Sequence, residues 1–321
     1  MKNLQELMQH DMQELDKVIR NDLSSNIFLI NQISEYIIAA GGKRIRPLLT
    51  LLCGRICGYT TGDSLHKIAA MIEYIHTATL LHDDVVDESN MRRGRKTANA
   101  VFGNAASVLV GDFIYTRAFQ MMLHGNSLKL MQIMANCTNK VSEGEVLQLL
   151  NIGKSDLTER EYFAVIESKT AALFEASARA AAIVSNSSEV VEDTLATYAI
   201  NLGAAFQVVD DILDYDGDSS VMGKNLGDDL HEGKVTLPIL YLLNNASEKD
   251  QALLKNVIEE PETADISAVV TLVKNSKALN YCHEIAKKYV NLAVASLDIF
   301  PTSEYKMVMI ELANTSIMRI L

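Results

Sequence analysis

Tryptophan is absent and proline is scarce in this sequence of 321 amino acids. It contains four prolines and no tryptophan, and no proline occurs between Pro47 and Pro238. Because proline breaks the interior of a helix, such a long proline-free stretch, rich in Ala, Leu, Ile and Met, favours helices. Apolar residues recur at helical spacing, and we find no alternating strand pattern bounded by hairpin dipeptides. The sequence therefore predicts an all-α fold.

Internal repeats and long linkers are also missing from the sequence. The breakers between apolar segments are short, which is typical of connections between helices. We therefore expect one domain over residues 1–321, built as a single large helical bundle. The segments 171–184 and 196–215 are apolar nearly all round, as helices in the middle of a bundle are. Carboxylates on such helices are informative, because a buried charge is costly unless it binds something.

Basic residues are outnumbered in this chain. There are 29 Lys and Arg against 41 Asp and Glu, a formal net charge of −12, which argues against a broad basic face for nucleic acids. The sequence contains no run of about 18 apolar residues, so we expect no membrane span. The first residues resemble neither a secretory signal nor an Arg-rich transit peptide, so we expect a cytoplasmic protein. The four cysteines form no Cys/His cluster of zinc-site spacing, and we interpret them as reduced thiols.

Two aspartate-rich motifs stand out in apolar surroundings. In each motif the first and third aspartates are four residues apart, so they share one face of a helix. A single motif of this kind is most often a solvated acidic face. Two copies favour a pair of helices that hold several divalent ions, which would clamp a diphosphate, and Mg²⁺ prefers such ligands. The motifs consist of Asp83, Asp84 and Asp87, and of Asp210, Asp211 and Asp214.

Basic residues cluster around these motifs and in one segment near the N-terminus. Each of them alone is best interpreted as a surface residue, and only their occurrence beside the acidic motifs suggests an anionic ligand. Arginine suits a diphosphate because it makes bidentate contacts. The set comprises Lys43, Arg44 and Arg46 in GGKRIRP, Arg92 and Arg93 after the first motif, Lys169 with Thr170, and Lys224 and Lys234 near the second motif.

Taken together, these residues resemble the trans-polyprenyl diphosphate synthases. The similarity includes GGKRIRP, the first acidic motif with RRG, the KT pair at 169–170, FQ at 206–207, the second acidic motif and GKNLGDDLHEGKVTLP at 223–238. It covers essentially the whole length, and segments 103–122 and 143–149 are most similar to the bacterial octaprenyl diphosphate synthases. The resemblance implies an isoprenoid synthase type I fold with a central active-site cavity, a homodimer, and two to three Mg²⁺ ions, for which Mn²⁺ could substitute.

The implied reaction condenses an allylic diphosphate, farnesyl diphosphate, with successive isopentenyl diphosphates. Its product would be a C40 all-trans chain for a quinone such as ubiquinone, handed over at a membrane surface. The resemblance makes both aspartate motifs catalytic, with Asp83, Asp87 and Asp210 as metal ligands. Residues implied for the allylic diphosphate are Arg92, Lys169, Thr170, Gln207, Lys224 and Lys234, with Lys169 and Lys224 also counted as catalytic. Residues implied for isopentenyl diphosphate are Lys43, Arg46, His76 and Arg93.

A path for the growing apolar chain is expected below the first motif. The positions four and five before Asp83 carry small residues, whereas in the family an aromatic residue there gives short products, so we expect a product longer than C20. An apolar stripe at i, i+4, i+7 spacing, starting at Tyr115, fits ordinary core packing as well as it fits the floor of a tunnel. The residues expected to set product length are Ala78, Thr79, Phe119, Met122 and Met134.

Four other interpretations of these residues fit the sequence less well. His82–Asp83 also reads as the HD pair of a helical phosphohydrolase, which would leave the second acidic motif unexplained. Glu73-x-x-His76 fits half of a di-iron site, but such sites need two copies. A non-catalytic partner subunit of a synthase would have an eroded acidic motif, and a terpene cyclase would not need basic residues for a second diphosphate.

Overall fold

The computed structural model describes residues 2–92, 94–217, 226–261 and 264–317, and helices dominate it. Within that part of the chain, extended structure is limited to one antiparallel pair, β1 (Met91–Arg92) and β2 (Arg95–Lys96). The all-α prediction is confirmed. No helix of the described residues is both long enough and apolar enough to pass through a membrane.

The helices follow one another with short connections, as the sequence predicts. In the first half of the chain they are α1 (Lys2–Asp22), α2 (Phe28–Ala39), α3 (Ile45–Ile56), α4 (Ser64–Val86), α5 (Ala98–Phe102), α6 (Asn104–Met122) and α7 (Leu128–Asn151). They continue as α8 (Glu159–Val165), a π-helical turn (Ile166–Ala171), α9 (Ala172–Val184) and α10 (Glu189–Asp216). The remaining helices are α11 (Asp228–His231), α12 (Leu237–Asn245), α13 (Glu248–Glu259), α14 (Ile266–Lys274), α15 (Ala278–Ser296) and α16 (Glu304–Ile317).

The contacts of the chain divide it into two compact units. Unit 1 comprises Met1–Asn136, Leu173–Ala196 and Leu297–Glu311. Unit 2 comprises Cys137–Ala172, Thr197–Ser296 and Leu312–Leu321. The organisation of residues 1–321 as one domain stays a prediction.

Helix α4 is the central element of unit 1. It packs against α6, α3 and α1, and most of its residues are buried. Close packing with α6 depends on Gly111, where a Cβ atom would lie 2.4 Å from the Nε2 atom of His82. A buried ionic cluster also joins three helices, because the Asp11 carboxylate of α1 accepts hydrogen bonds from Arg55 of α3 and pairs with His66 of α4. The helix that carries the first acidic motif is therefore held along its whole length.

Unit 2 has its own apolar core beneath the second acidic motif. Val208, Val209, Ile212 and Tyr215 of α10 are fully buried in this core, together with residues of α8 and of α12 to α15. The aspartates of the second motif alternate with these apolar positions on the same helix. Burial of the apolar positions therefore fixes the orientation of α10, and with it the direction of the aspartates.

Candidate active site

The first acidic motif closes helix α4. The helix ends at Val86, and Asp87 caps it by donating its backbone N–H to the carbonyl oxygen of Asp83 at 2.8 Å. Asp83 and Asp87 are partly exposed, whereas Asp84 is fully buried. The two outer carboxylates can therefore reach a ligand in solvent, whereas the middle one is buried against Arg92.

Asp84 instead holds Arg92. The Nε and Nη2 atoms of Arg92 donate to the Oδ1 atom of Asp84 at 2.8 Å and 2.7 Å. The backbone carbonyl of Asp84 also accepts from the N–H of Ser89 and from the amide of Asn99, both at 3.0 Å. These contacts tie the short hairpin β1–β2 to the end of α4. They fix a predicted diphosphate ligand, Arg92, beside the first motif, while Arg93 lies outside the described residues.

Arg46 and His76 come together in unit 1, as the predicted isopentenyl diphosphate site requires. Arg46 stands in the first turn of α3, and its Nη1 atom donates to Nε2 of His76 of α4 at 3.2 Å. The ring of Phe174 lies against the same guanidinium, whose carbon atom is 4.8 Å from the ring centre. Lys43 is exposed just before α3, and Arg44 has a left-handed backbone, with φ of 44°, and forms an ion pair with Asp16.

A pocket in unit 1 joins part of this basic group to the first acidic motif. Its polar walls come from α4, from the segment before α3 and from the hairpin, and its apolar walls come from α1 and α2. The pocket therefore combines basic, acidic and apolar side chains. The polar and charged residues that line it are Arg44, Glu73, Tyr74, His76, Thr77, Asp84, Arg92, Lys96 and Thr97.

The second acidic motif has one exposed aspartate and two buried ones. Asp210 is exposed, whereas Asp211 is 2% exposed and Asp214 3%. Asp211 accepts hydrogen bonds from the Tyr162 hydroxyl at 2.5 Å and from the Gln207 amide at 2.9 Å. Burial, with the negative charge of Asp229 nearby, raises the pKa of Asp211 to about 8. Burial and the Asp211 carboxyl raise the pKa of Tyr162 well above its ordinary value.

Lys169 and Thr170 lie in the π-helical turn between α8 and α9. The Nζ atom of Lys169 contacts the Glu145 carboxylate and the Gln148 amide oxygen of α7, each at 2.6 Å. The Thr170 hydroxyl donates to Gln207 at 2.9 Å, which links it through that amide to the second motif. Such π-helical turns inside α-helices are frequent at functional sites, because the extra residue redirects the side chains.

Helix α7 approaches this turn at a glycine. A Cβ atom on Gly144 would lie 2.7 Å from the backbone nitrogen of Lys169 and 2.8 Å from the Cβ of Ser168. Only a residue without a side chain fits at that distance, so Gly144 sets where Lys169 lies. Of the two remaining predicted cations, Lys234 pairs with Glu232 at 2.6 Å, and Lys224 lies outside the described residues.

The residues predicted to set product length do not share one environment. Ala78, Met122 and Met134 are buried in unit 1, whereas Phe119 is 41% exposed and packs edge-on against Tyr115. The Thr79 hydroxyl donates to the carbonyl of His76 at 2.9 Å. The buried residues fit the wall of an apolar path, and the exposure of Phe119 sets it apart from them.

Several contacts in this site were not anticipated from the sequence. Glu145 and Gln148 lie in a segment that was informative only through the resemblance, and Tyr162 and Phe174 looked like ordinary apolar positions. Their partners are 21 to 128 residues away in sequence, as between Gln148 and Lys169 or Arg46 and Phe174. No local spacing could have identified such pairs.

The available ligands suit a hard divalent cation bound together with a substrate. Among the residues that the structure describes, no group of three or more His, Cys, Asp or Glu side chains is arranged to hold a metal ion. The outer aspartates Asp83, Asp87 and Asp210 nevertheless offer carboxylate oxygens at or near the surface. Mg²⁺ is commonly bound by one or two carboxylates plus substrate phosphates, so the accessible carboxylates of each motif, taken separately, suit Mg²⁺.

A comparison with known proteins identifies the family of this chain. Residues 28–275 match the polyprenyl synthetase family. The chain belongs to this family. The octaprenyl diphosphate synthase of Haemophilus influenzae is 48% identical over 98% of this chain and 96% of its own length. The octaprenyl diphosphate synthase of Escherichia coli is 45% identical over 99% of both chains. The phosphohydrolase and di-iron interpretations are thereby excluded.

Solved structures of polyprenyl synthases have the same fold. A polyprenyl synthase from Caulobacter crescentus, complexed with calcium and isoprenyl diphosphate, is 39% identical and has a TM-score of 0.95 over 98% of this chain and 97% of that one. A decaprenyl diphosphate synthase from Rhodobacter capsulatus is 39% identical, with a TM-score of 0.93 over 100% of this chain and 99% of that one. The predicted type I isoprenoid synthase fold is confirmed.

Proposed function

We propose that this polyprenyl synthase condenses an allylic diphosphate with successive isopentenyl diphosphates and makes octaprenyl diphosphate, for use as a quinone side chain. The similarity to octaprenyl diphosphate synthases over almost the whole chain carries this proposal. The test is incubation with labelled isopentenyl diphosphate, farnesyl diphosphate and Mg²⁺, followed by sizing of the dephosphorylated product. A main product of C40 is expected, and a product of C20 or shorter would contradict it.

The outer aspartates Asp83, Asp87 and Asp210 are the proposed ligands of two to three Mg²⁺ ions. Bound Mg²⁺ would neutralise the charge that develops on the leaving diphosphate. The buried aspartates have a different task, since Asp84 holds Arg92 and Asp211 holds Gln207. EDTA should abolish turnover and Mg²⁺ should restore it, with Mn²⁺ as a substitute. Full activity in metal-free buffer would refute this part of the proposal.

The basic residues are divided between two diphosphates. Isopentenyl diphosphate is assigned to Lys43, Arg46, His76 and Arg93, and the allylic diphosphate is assigned to Arg92, Lys169, Thr170, Gln207, Lys224 and Lys234. Preorganised cations of this kind stabilise negative charge as it develops on the leaving group. Neutralising Arg46 should raise mainly the KM for isopentenyl diphosphate, and neutralising Lys169 mainly the KM for the allylic substrate.

The proposed reaction needs no side-chain nucleophile. The carbon–oxygen bond of the allylic diphosphate breaks, and its electron pair leaves with the diphosphate. The double bond of isopentenyl diphosphate then attacks the allylic cation and forms the new carbon–carbon bond. The proton lost from the isopentenyl unit goes to the departing diphosphate. Water must be kept away from the allylic cation, because it would otherwise quench it.

Product length is assigned to the buried residues below the first motif. Ala78 and Met122 are apolar and buried, which suits a path for an apolar chain. Ala78→Tyr should shorten the product towards C15–C20, and Met122→Ala should lengthen it. An unchanged distribution of product lengths in Met122→Ala would show only that Met122, with its partner Met134, does not form the floor of the path.

A homodimer is the proposed assembly. Apolar residues of α6 and of the start of α7 are exposed in the single chain, among them Leu109 at 68% and Leu128 at 84%. Exposed apolar residues of this size are typical of an association surface. Sedimentation at micromolar concentration should give a dimer, and a monomer would contradict the assignment.

The proposed location is the cytoplasm, with transfer of the product at a membrane surface. The product is a long hydrocarbon chain, and burying it in lipid is favourable for each of its carbon atoms. Cell fractionation should recover the enzyme with the cytoplasmic proteins. Recovery only with integral membrane proteins would contradict this location.

A further inference from the structure

Phe174 has no assigned role, yet it lies directly against a proposed substrate ligand. Its ring, on α9, is fully buried, and its centre is 4.8 Å from the guanidinium carbon of Arg46. Both residues belong to unit 1, although 127 residues separate them in the chain. The fully buried ring and the partly buried guanidinium form a cation–π contact, which is stronger when the cation is desolvated.

The ring and His76 restrain Arg46 in two different directions. A guanidinium is planar and stacks on an aromatic face, which restrains the tilt of its plane. The hydrogen bond from Nη1 to Nε2 of His76, at 3.2 Å, restrains its rotation within that plane. Because an arginine side chain has only donors, His76 accepts in this contact through Nε2. The remaining N–H groups of Arg46 then have a defined direction.

We propose that Phe174 is a positioning residue for isopentenyl diphosphate, whose ring holds the Arg46 guanidinium in the plane from which it donates to the diphosphate. The inference rests on the proposed assignment of Arg46 to that substrate. Bidentate contacts between a guanidinium and a diphosphate require both groups to be oriented, so loss of the ring weakens substrate binding without removing any charge.

The test is the KM for isopentenyl diphosphate in the full-length enzyme at saturating allylic substrate. Phe174→Leu keeps an apolar side chain but removes the ring, and it should raise this KM about fivefold, as expected for loss of a partly desolvated cation–π contact. The KM for the allylic diphosphate should stay within about twofold. Phe174→Tyr keeps the ring face but buries a hydroxyl, and it should raise this KM less than Phe174→Leu does.

A second set of variants separates positioning from core packing. In an Arg46→Gln background, Phe174→Leu should change the KM for isopentenyl diphosphate no further, because the ring acts through Arg46. Leu15→Ala, at a fully buried position of α1, serves as a control for lost core volume, and melting temperatures are compared. An equal effect of Phe174→Leu in both backgrounds, or an equal rise in KM in Leu15→Ala, would overturn the inference.

The assignment of Arg46 is tested separately by the same variants. If Arg46→Gln leaves the KM for isopentenyl diphosphate unchanged, the proposed substrate site is wrong. If Arg46→Gln raises this KM but Phe174→Leu does not, the site stands and the positioning role of Phe174 is refuted.

Discussion

The two aspartate-rich motifs have the same residue pattern but different environments. In unit 1 the middle aspartate, Asp84, is buried and faces a cation, Arg92. In unit 2 the middle aspartate, Asp211, is buried and faces two neutral donors, Tyr162 and Gln207. The guanidinium stabilises a charged carboxylate in the first motif. In the second motif burial and the nearby Asp229 raise the pKa of the carboxyl to about 8.

The third aspartates differ because the two helices end at different points. Helix α4 ends at Val86, so Asp87 is the residue that caps it and is partly exposed. Helix α10 continues to Asp216, so Asp214 remains inside the helix and is 3% exposed. The first motif therefore offers two accessible carboxylates and the second offers one, Asp210. Equal spacing in sequence does not give equal access to a ligand.

The largest expected effect comes from the accessible aspartates. Asp83→Ala and Asp210→Ala should each lower kcat by roughly 10²–10³ or more, because each removes a carboxylate proposed to bind the metal. Asp63→Ala, at the exposed start of the same helix α4, is the matched control and should keep a normal kcat. A normal kcat in Asp83→Ala or Asp210→Ala would remove that residue from the site.

The middle aspartates should differ in what they contribute to stability. Asp84→Asn leaves Arg92 facing a neutral amide, and we expect a loss of about 2 kcal/mol, below the range for fully buried pairs because Arg92 is 30% exposed. Asp211→Asn keeps one acceptor oxygen for two neutral donors, and about 1 kcal/mol should be lost. Urea unfolding of both variants gives the comparison. A larger loss in Asp211→Asn would show that the two environments do not differ as described.

A substitution at Gly144 tests how unit 2 positions Lys169. Gly144→Ala places a Cβ atom against the backbone of Lys169, which cannot move aside alone, so the KM for the allylic diphosphate should rise about tenfold. Gly54→Ala in unit 1 is the control for a core clash, because its Cβ atom would meet the buried Leu65 side chain, which also belongs to unit 1. Steady-state kinetics should show the rise in the first variant and not in the second. Equal KM values for the allylic diphosphate in both variants would show that Gly144 does not set the position of Lys169.

The smallest effect concerns Asp11, whose contribution to stability should decrease in acid. Burial alone would raise the pKa of Asp11, but hydrogen bonds from His66 and Arg55 outweigh it and hold the pKa well below its usual range. Such a group stabilises the fold fully above the pKa of an unfolded aspartate, about 3.9, and this contribution is lost as the pH falls towards the folded-state pKa. The stability difference between the wild type and Asp11→Asn, measured by urea unfolding, should therefore shrink below about pH 4. A difference that stays constant with pH would refute the ionic role of Asp11.

The helical fold class and most of the candidate residues could be predicted from local sequence patterns. The proline-free stretch and the spacing of apolar residues are local properties, and helix formation depends mainly on such properties. The acidic motifs were found for the same reason, because residues four apart on one helix share a face wherever that helix packs. The grouping of Arg46 with His76 followed from the family resemblance. The structure places the two side chains in a hydrogen bond, and their role as substrate ligands stays a prediction.

The accessibility of these residues and the contacts that hold them could not be predicted in this way, because they depend on tertiary packing. Whether an aspartate is exposed depends on where its helix ends and on what packs over it, as Asp87 and Asp214 show. The pairing of Asp84 with Arg92, of Asp211 with Tyr162, and of Arg46 with Phe174 joins residues from separate elements. Such pairs form because packing of the apolar faces brings distant segments together, and sequence spacing carries no record of that packing.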